Sequence, residues 1–222
     1  MIYYILMNTN KSQYFRIYTF DWDDNIIKMP TKISIRNKST KKEKFISTEE
    51  FALHRNEIGK SGIYKNYEIE LNNKSQEFSF RFFRDNSTEN FFLKDLISEL
   101  KRKNINYKRS WPSLIKALST KDTARNTFII TARGHKPSTI FEAFKHLKKK
   151  KIIKNLPLLR NIFPVTHFFK ECHDIGQIKF EFISKILNMY EKLDKKNNYD
   201  SFHHFSFSDD DANTIKTIAD KE

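Results

Sequence analysis

In the second half of this chain, short apolar segments alternate with stretches of helical periodicity. This alternation restricts the possible folds more than any other feature of the sequence. Alternating strands and helices at this spacing are typical of a parallel β-sheet with helices on its faces, so the sequence predicts an α/β fold. The predicted strands are residues 17–20, 127–130, 162–166 and 202–207, and the predicted helices are residues 111–118, 137–150, 178–190 and 213–219.

Residues 31–110 lack this alternation and are polar and highly charged. Ser47 and Glu50 have the spacing of a capping box ahead of a short helix. Two extended segments follow near residues 67–71 and 78–83, and then a helix over 89–103 with its own apolar face. We interpret residues 31–110 as an α+β domain inserted into a core domain made of residues 1–30 and 111–222.

Composition excludes several classes of protein. The 222 residues include one cysteine, Cys172, which excludes a disulfide framework and is typical of a reducing compartment. The longest apolar runs are too short to span a bilayer, and the first residues lack the pattern of a signal peptide. We therefore expect a soluble, cytoplasmic protein with no membrane partner.

The chain is strongly basic, with 41 Lys and Arg against 27 Asp and Glu and a net charge of +14. Most of the basic residues are lysines, and the run at 148–151 follows a predicted helix, where cations suit the helix dipole. We interpret these lysines mainly as solvated surface. The charge would nonetheless steer a phosphate-bearing substrate inward, and it leaves a nucleic-acid partner open.

Polar clusters follow three of the predicted strands, at residues 21–25, 131–135 and 208–211. The carboxyl ends of parallel strands meet at one edge of a sheet, where ligands bind in such folds. Asp21 and Asp23 directly follow the first strand. Two carboxylates this close repel each other unless a cation or a shared proton intervenes, although a simple polar turn would also account for them.

Three further elements complete the pattern. Thr131 ends a strand before a glycine turn and a helix, so that it can present its hydroxyl and nearby N–H groups to an anion; as an alternative, it only caps the helix. Lys179 lies in the first predicted turn of a helix, where a cation needs a negative partner unless it is simply a surface lysine. Asp209, Asp210 and Asp211 supply the carboxylate density that hard divalent cations prefer, and Mg²⁺ suits them best.

Taken in order, these elements resemble the haloacid dehalogenase-like (HAD) hydrolase superfamily: a strand ending in Asp-x-Asp, a strand ending in Thr, a helix with Lys, and a strand ending in an acidic pair. The resemblance covers residues 17–27 and 127–219 and implies a Rossmann-like three-layer core with the insertion as a cap. Lys170 is an alternative to Lys179 as the motif lysine. Asn25 departs from the usual Thr or Ser, but it can still form the side-chain hydrogen bonds of the turn. The second aspartate, Asp23, favours phosphoryl transfer over dehalogenation.

The resemblance implies an aspartyl-phosphate mechanism on a phosphorylated small molecule or nucleotide. Asp21 would be the nucleophile and Asp23 the general acid and then the general base. Mg²⁺ would be held by Asp21, the backbone carbonyl of Asp23 and Asp209, with Asp210 as second acid or direct ligand. The phosphate would be bound by Thr131, Lys179 and the backbone N–H groups of Trp22 and Ala132.

Two alternatives stay open for the function: a phosphatase for nucleotides or nucleic-acid ends, and a non-catalytic, basic nucleic-acid-binding protein on the same scaffold. Several side chains also allow two interpretations. Trp22 either faces a substrate ring or is buried, and Arg133 and His135 either contact the substrate or lie in an exposed turn. We expect core packing for at least one of His203 and His204, and no nucleophile–base pair from Cys172 and His173.

Overall fold

The computed structural model describes residues 3–7, 14–72, 74–85, 89–168, 174–197 and 203–220. The chain divides into two compact units: the first comprises Met1–Lys28 and Asn106–Glu222, and the second comprises Met29–Ile105. The boundaries that the sequence predicts lie only a few residues further along the chain. The strands are β1 (Tyr3–Met7), β2 (Phe15–Phe20), β3 (Lys32–Asn37), β4 (Glu43–Ser47), β5 (Tyr67–Glu68), β6 (Thr127–Thr131), β7 (Ile162–Pro164) and β8 (His203–Ser208).

Six of the described helices belong to the first unit, and two belong to the second. They are α1 (Thr48–His54), α2 (Phe91–Leu100), α3 (Trp111–Ala117), α4 (Lys121–Arg125), α5 (Pro137–Lys149), α6 (Val165–Phe168), α7 (Ile175–Asn197) and α8 (Ala212–Ala219). Short 3-10 helices lie at Gly62–Tyr64, Arg81–Phe83 and Leu159–Asn161.

The first unit is built on a five-stranded sheet with the order β1-β8-β2-β6-β7. Strands β8, β2, β6 and β7 are parallel, and β1 pairs antiparallel with β8 at one edge. The fold is thus α/β with a four-stranded parallel sheet, as the alternation of strands and helices predicts. The antiparallel strand β1 is an addition that the alternation does not predict.

The order in which strands are added to the sheet reverses at β2. Strands β6 and β7 extend the sheet to one side of β2, and β8 pairs with its other side. In open α/β sheets, such a reversal leaves a crevice at the carboxyl ends of the strands, where ligands bind. The topology therefore places the polar segments after β2, β6 and β8 at the edge of the sheet where a site is expected.

One face of the sheet is covered by α7 and α8. Side chains of β2, β6 and β8 that alternate along their strands pack with apolar residues of these helices. The members of this core include Ile17, Phe128, Ile130, Phe205, Phe207, Ile183, Ile186 and Ile218. Helix α5 buries its own apolar stripe of Ile140, Ala143, Phe144 and Leu147.

The second unit has a smaller core of its own. Its three-stranded sheet has the order β4-β3-β5, and both pairings are antiparallel. Buried Ile33, Ile35, Ile46, Ile58 and Tyr64 form its centre. At the start of α1, Ser47 Oγ accepts a hydrogen bond from the Glu50 N–H at 3.0 Å, which confirms the predicted cap. An α+β architecture in this unit agrees with the sequence; its role as a cap stays a prediction.

Four local predictions need correction. Residues 165–166 begin α6 instead of continuing the strand, because Pro164 has no N–H for the ladder. Residues 78–83 form turns and a 3-10 helix, although Phe78, Phe80 and Phe82 alternate as in a strand; the turn brings Phe80 and Phe83, three residues apart, onto the same core. Helix α7 begins at Ile175 and ends at Asn197, so it extends beyond both ends of the predicted helix over 178–190. Helix α4, capped by Thr120, is absent from the prediction.

Helix α7 is the longest helix described, with 23 residues, and it is amphipathic. Among the described residues, no helix combines the length and the apolar character needed to cross a membrane. This agrees with the apolar runs in the sequence, which are too short for a bilayer.

Candidate functional site

The candidate site begins with two neighbouring strand ends. In the parallel pairing of β2 with β8, Phe20 lies opposite Ser208, and the N–H of Asp21 donates to the Ser208 carbonyl at 2.9 Å. Asp21 and Asp209 therefore follow paired residues and leave the sheet side by side. This register brings together two carboxylates that are far apart in the sequence.

Asp21, Asp209 and Asp210 form a carboxylate cluster. One oxygen from each residue lies within 4.8 Å of the other two. Asp21 and Asp209 are buried, and Asp210 is exposed. Such a group of oxygen donors is the kind that holds a hard divalent cation, and Mg²⁺ is typically bound through one or two carboxylates together with substrate phosphate and water.

Lys179 of α7 lies between the two buried carboxylates. Its Nζ donates to Asp21 Oδ1 at 3.0 Å and to Asp209 Oδ2 at 2.6 Å. The exposed fractions of the three side chains are only 4 % for Lys179, 6 % for Asp21 and 1 % for Asp209. Because α7 begins earlier than predicted, Lys179 lies in its second turn and not in its first. The alternative that Lys179 is a surface residue is wrong, while Lys170 lies outside the described residues.

Burial and charge act together on the ionisation of this cluster. Burial opposes the positive charge of Lys179, but the carboxylates of Asp21 and Asp209 outweigh it and raise the pKa of Lys179 above its ordinary value. Burial also raises the pKa of Asp21, which Lys179 lowers in part and Asp209 raises further. At Asp210, desolvation of the carboxyl and the neighbouring charge of Asp209 raise the pKa to about 7. Full ionisation of all three carboxylates would place more negative charge here than Lys179 alone can balance, and an added cation would relieve this excess.

Asp23 does not join the carboxylate cluster, because its side chain binds Arg133. Arg133 Nε donates to Asp23 Oδ2 at 2.8 Å, and Nη2 donates to Oδ1 at 2.7 Å. The Arg133 side chain is fully buried, and Asp23 retains 18 % exposure. A bidentate contact of this kind fixes both the position and the orientation of a carboxylate. The interpretation of Arg133 and His135 as an exposed turn is wrong, since both residues are buried.

The turn after β2 is held by Asn25. Asp24 has a positive φ of 53°, a conformation that aspartate tolerates in turns. Asn25 Nδ2 donates to the carbonyls of Asp21 at 3.1 Å and Ser208 at 2.9 Å. Its Oδ1 accepts from the hydroxyls of Ser110 at 2.8 Å and Ser208 at 2.9 Å, and these two hydroxyls also contact each other. The prediction that Asn25 can form the hydrogen bonds of this turn is confirmed.

The third strand end carries Thr131. Strand β6 pairs with β2 so that Ile129 lies opposite Phe20, and Thr131 is the second residue after Ile129. The buried Thr131 hydroxyl accepts a hydrogen bond from the Arg133 N–H at 3.4 Å. The next carbonyl, that of Ala132, accepts from the Thr166 hydroxyl of α6 at 2.9 Å. The loop after β6 is thus anchored beside Asp21, while phosphate binding by Thr131 and Ala132 stays a prediction.

Trp22 is fully buried and packs edge-on against Phe144 of α5, with ring centroids 5.3 Å apart. Of its two interpretations, burial is therefore right for the side chain, and only its backbone N–H stays a candidate for phosphate binding. His203 is also buried, and its Nε2 lies 2.7 Å from Asp194 Oδ2. This confirms core packing for one of the two histidines. Cys172 and His173 lie outside the described residues.

Two parts of the site were not predicted from the sequence. The Asp23–Arg133 pair joins residues 110 positions apart, and nothing in the sequence pattern links them. Ser110, which the sequence assigns to the end of the inserted domain, completes the hydrogen bonds around Asn25. For Arg133 alone, the sequence contains a feature that points to the site: a basic residue inside the polar cluster at the end of a predicted strand.

Comparisons with models of protein families, with curated proteins and with solved structures found no match. The resemblance to the HAD superfamily therefore depends on the four sequence elements. Independently of that resemblance, the structure brings Asp21, Asp209, Asp210 and Lys179 together at the carboxyl ends of adjacent parallel strands.

Proposed function

We propose that this chain is a Mg²⁺-dependent phosphohydrolase that cleaves phosphomonoesters through an aspartyl-phosphate on Asp21. One observation carries the proposal: Asp21, Asp209 and Asp210 converge within 4.8 Å beside the buried ammonium of Lys179. Asp21 and Asp209 are buried, and buried carboxylates at such close range raise the free energy of the folded chain unless a cation balances them. Their arrangement is therefore better explained by a function than by stability.

The donors fit a hard divalent cation. If all three carboxylates were ionised, Lys179 would leave two negative charges uncompensated, which is the charge that one Mg²⁺ balances. Asp21, Asp209 and Asp210 would hold the ion, and the backbone carbonyl of Asp23 is a further candidate. When bound, Mg²⁺ supplies the positive charge that allows an anionic nucleophile to approach an anionic phosphate.

Asp21 is the nucleophile in this proposal. One of its carboxylate oxygens attacks phosphorus, the bond from phosphorus to the ester oxygen breaks, and the leaving oxygen takes a proton from Asp23. Lys179 contacts Oδ1 of Asp21 and so orients the carboxylate before the attack. Thr131, Lys179 and the N–H groups of Trp22 and Ala132 would bind the phosphate oxygens, and preorganised donors of this kind typically account for about 10²–10³ in rate.

Asp23 then acts as the base. It takes a proton from water, the water oxygen attacks phosphorus, and the bond between phosphorus and the Asp21 oxygen breaks to release inorganic phosphate. The bidentate contact with Arg133 orients the Asp23 carboxylate for both proton transfers.

Hydrolysis of an aryl phosphate tests the proposal. We expect turnover with Mg²⁺, none with excess chelator, and none in Asp21→Asn. Asp211→Asn is the matched control, because Asp211 follows the same strand but caps α8 through the N–H of Asn213 and is not part of the carboxylate cluster. Full activity in Asp21→Asn, or no metal-dependent turnover in the wild-type chain, would refute the proposal.

The covalent intermediate has its own test. Asp23→Asn removes the base for the second step, whereas an aryl leaving group depends little on the acid in the first step. We therefore expect a phosphoryl adduct on the peptide that contains Asp21 to accumulate in this variant, as measured by mass spectrometry after rapid acid quenching. Direct attack of water on the substrate, with no enzyme-bound intermediate, would leave that peptide unmodified.

A further inference from the structure

A groove of about 850 Å³ lies along β7, the edge strand of the first unit. It is lined by the start of α5, by the 3-10 helix before β7, by β7 itself and by α6. The groove begins at Lys136, directly after the loop of residues 131–135, and α6 is joined to that loop by the hydrogen bond from Thr166 to Ala132. A molecule bound here would therefore lie beside the proposed phosphate-binding loop.

The lining of the groove combines basic and apolar groups. Lys136, Arg160 and His167 supply positive or protonatable groups, while no carboxylate is among the residues that line it. Phe163 and Phe168 supply aromatic rings, and Phe168 is 50 % exposed. Phe163 packs against Phe182 with ring centroids 4.8 Å apart, so its ring is held in place.

This lining favours one class of ligand over another. Aromatic rings beside cations are the features that bind the bases and phosphates of nucleotides, since every base has a face that stacks and every phosphate attracts a cation. A sugar phosphate without a base would need many hydrogen-bonding partners, and Ser138 is the one uncharged hydroxyl among the lining residues. The volume is within the usual range for small-molecule sites.

We propose that this groove binds the nucleotide unit that carries the phosphomonoester, so that the substrate is a free nucleotide or the phosphorylated end of a single strand. This inference rests on the proposed function, which it extends to the class of substrate. The terminal phosphate would lie at Asp21, and the base would stack in the groove against Phe168. The basic groups of the groove would contact the next phosphate where the substrate is a strand.

Binding to a probe tests the groove separately from catalysis. The probe is a tetrathymidylate with a 5′-phosphate and a 3′-fluorescein, and fluorescence anisotropy measures its affinity for the Asp21→Asn chain with Mg²⁺. Adding Phe168→Ala to this background should weaken binding about tenfold, because the base loses the aromatic ring on which it stacks. Since Phe168 is exposed, the variant should still fold, and circular dichroism checks this.

Charge removal gives a second readout. For the Lys136→Gln, Arg160→Gln double variant, the slope of log affinity against log salt should fall by about 0.7, because both residues contact the same phosphate and one phosphate contact on a single strand contributes about 0.7. The matched control is Lys148→Gln with Lys149→Gln, which removes two exposed charges at the other end of α5. An equal change of slope in the control, or no loss of affinity in Phe168→Ala, would overturn the proposal.

Competition separates the sources of the nucleotide. Displacement of the probe by thymidine 5′-monophosphate would indicate a free nucleotide, whereas displacement only by an unlabelled 5′-phosphorylated strand would indicate a nucleic-acid end. Ribose 5-phosphate, which lacks a base, should compete poorly. If it competed as well as thymidine 5′-monophosphate, the base would not contribute to binding and the proposed role of the groove would be wrong.

Hydrolysis of an aryl phosphate by the wild-type chain, measured beside the binding assay, tests the proposed function separately. If no form of the chain hydrolyses the aryl phosphate, the proposed function fails, but the binding result still decides whether the groove binds a nucleotide. If hydrolysis is normal and probe binding is insensitive to the groove variants, the groove proposal alone fails.

Discussion

Replacement of Lys179 by Met tests the charge balance at the centre of the site. Methionine has a similar length but no charge, so the variant removes the ammonium and leaves Asp21 and Asp209 facing each other in a buried place. Breaking a buried ion pair from one side typically costs about 3–5 kcal/mol. We therefore expect the free energy of unfolding at pH 7, without metal, to fall by about 3–5 kcal/mol.

Urea unfolding followed by tryptophan fluorescence measures this loss. Since the pKa of Lys179 is raised, its stabilising effect is fully present below its ordinary pKa of 10.5 and is lost only as the pH rises through the folded-state value, so pH 7 captures all of it. The matched control is Lys145→Met, because the Lys145–Glu142 pair on α5 has about half of each side chain exposed. Exposed pairs contribute about 0–1 kcal/mol.

The same variant reports on metal binding. With Lys179 absent, Mg²⁺ should stabilise the chain more than it stabilises the wild type, since it then balances more uncompensated charge. A ligand at a hundred times its Kd stabilises the folded state by about 2.7 kcal/mol, which is large enough to resolve in urea. Asp21→Asn in the Lys179→Met background should also restore part of the loss, because one of the two facing carboxylates becomes neutral.

The reasoning would be refuted if Lys179→Met lost no more stability than Lys145→Met. It would also be refuted if adding Asp21→Asn destabilised the Lys179→Met variant further, because the two carboxylates would then not repel each other. Either result would mean that the cluster is hydrated and that burial does not dominate its energetics.

Three further predictions concern single side chains. Arg133→Met should lower kcat on an aryl phosphate about 10²-fold, because Asp23 loses its orientation, with Mg²⁺ affinity from calorimetry unchanged. Asn25→Ala should lower the free energy of unfolding in urea by about 1–3 kcal/mol, since it leaves buried hydroxyls without their acceptor. Asn25→Asp should not restore the wild-type stability, because it lacks the N–H donor that the two carbonyls need. Burial and the hydrogen bond to Glu50 raise the pKa of Tyr64 from 10.0 to about 12. The tyrosine therefore stabilises the second unit below pH 10, and this stabilisation disappears as the pH rises through about 12. The free energy of unfolding of Tyr64→Phe, measured against pH, should lack this decrease.

The positions of the catalytic candidates could be predicted because they depend on strand order and little else. Parallel strands present their carboxyl ends at one edge, so Asp21, Thr131 and Asp209 had to converge if β2, β6 and β8 were neighbours. Lys179 followed less directly, from the unfavourable position of a cation near the start of a helix. Its contact with both carboxylates depends on where α7 begins, and the apolar pattern alone placed that start three residues late.

The parts that could not be predicted depend on side-chain contacts between distant segments. Arg133 reaches Asp23 across the edge of the sheet, and Ser110 meets Asn25 only because the chain returns beside β2. Strand β1 is also invisible to an argument from alternation, since it pairs antiparallel at the edge and has no crossover helix. In the second unit, the β3–β4 hairpin was hidden because β4 has charged residues at the adjacent positions Glu43 and Lys44, which interrupts the alternation of polar and apolar residues.

The way the chain leaves and re-enters the first unit leads to a last prediction. Lys28 N–H donates to the Asn106 carbonyl at 3.0 Å, and Lys108 N–H donates to the Ile26 carbonyl at 3.0 Å. Residues 26–28 and 106–108 therefore form an antiparallel stem, and their ends are close enough for a short turn to join them. A chain in which an Asn-Gly turn replaces Met29–Ile105 should still fold, because every member of the carboxylate cluster and of the Asn25 network lies in the first unit. Urea unfolding and Mg²⁺ titration would measure this: cooperative unfolding with metal-dependent stabilisation is expected, whereas a chain that folds but no longer responds to Mg²⁺ would show that the metal site needs the second unit.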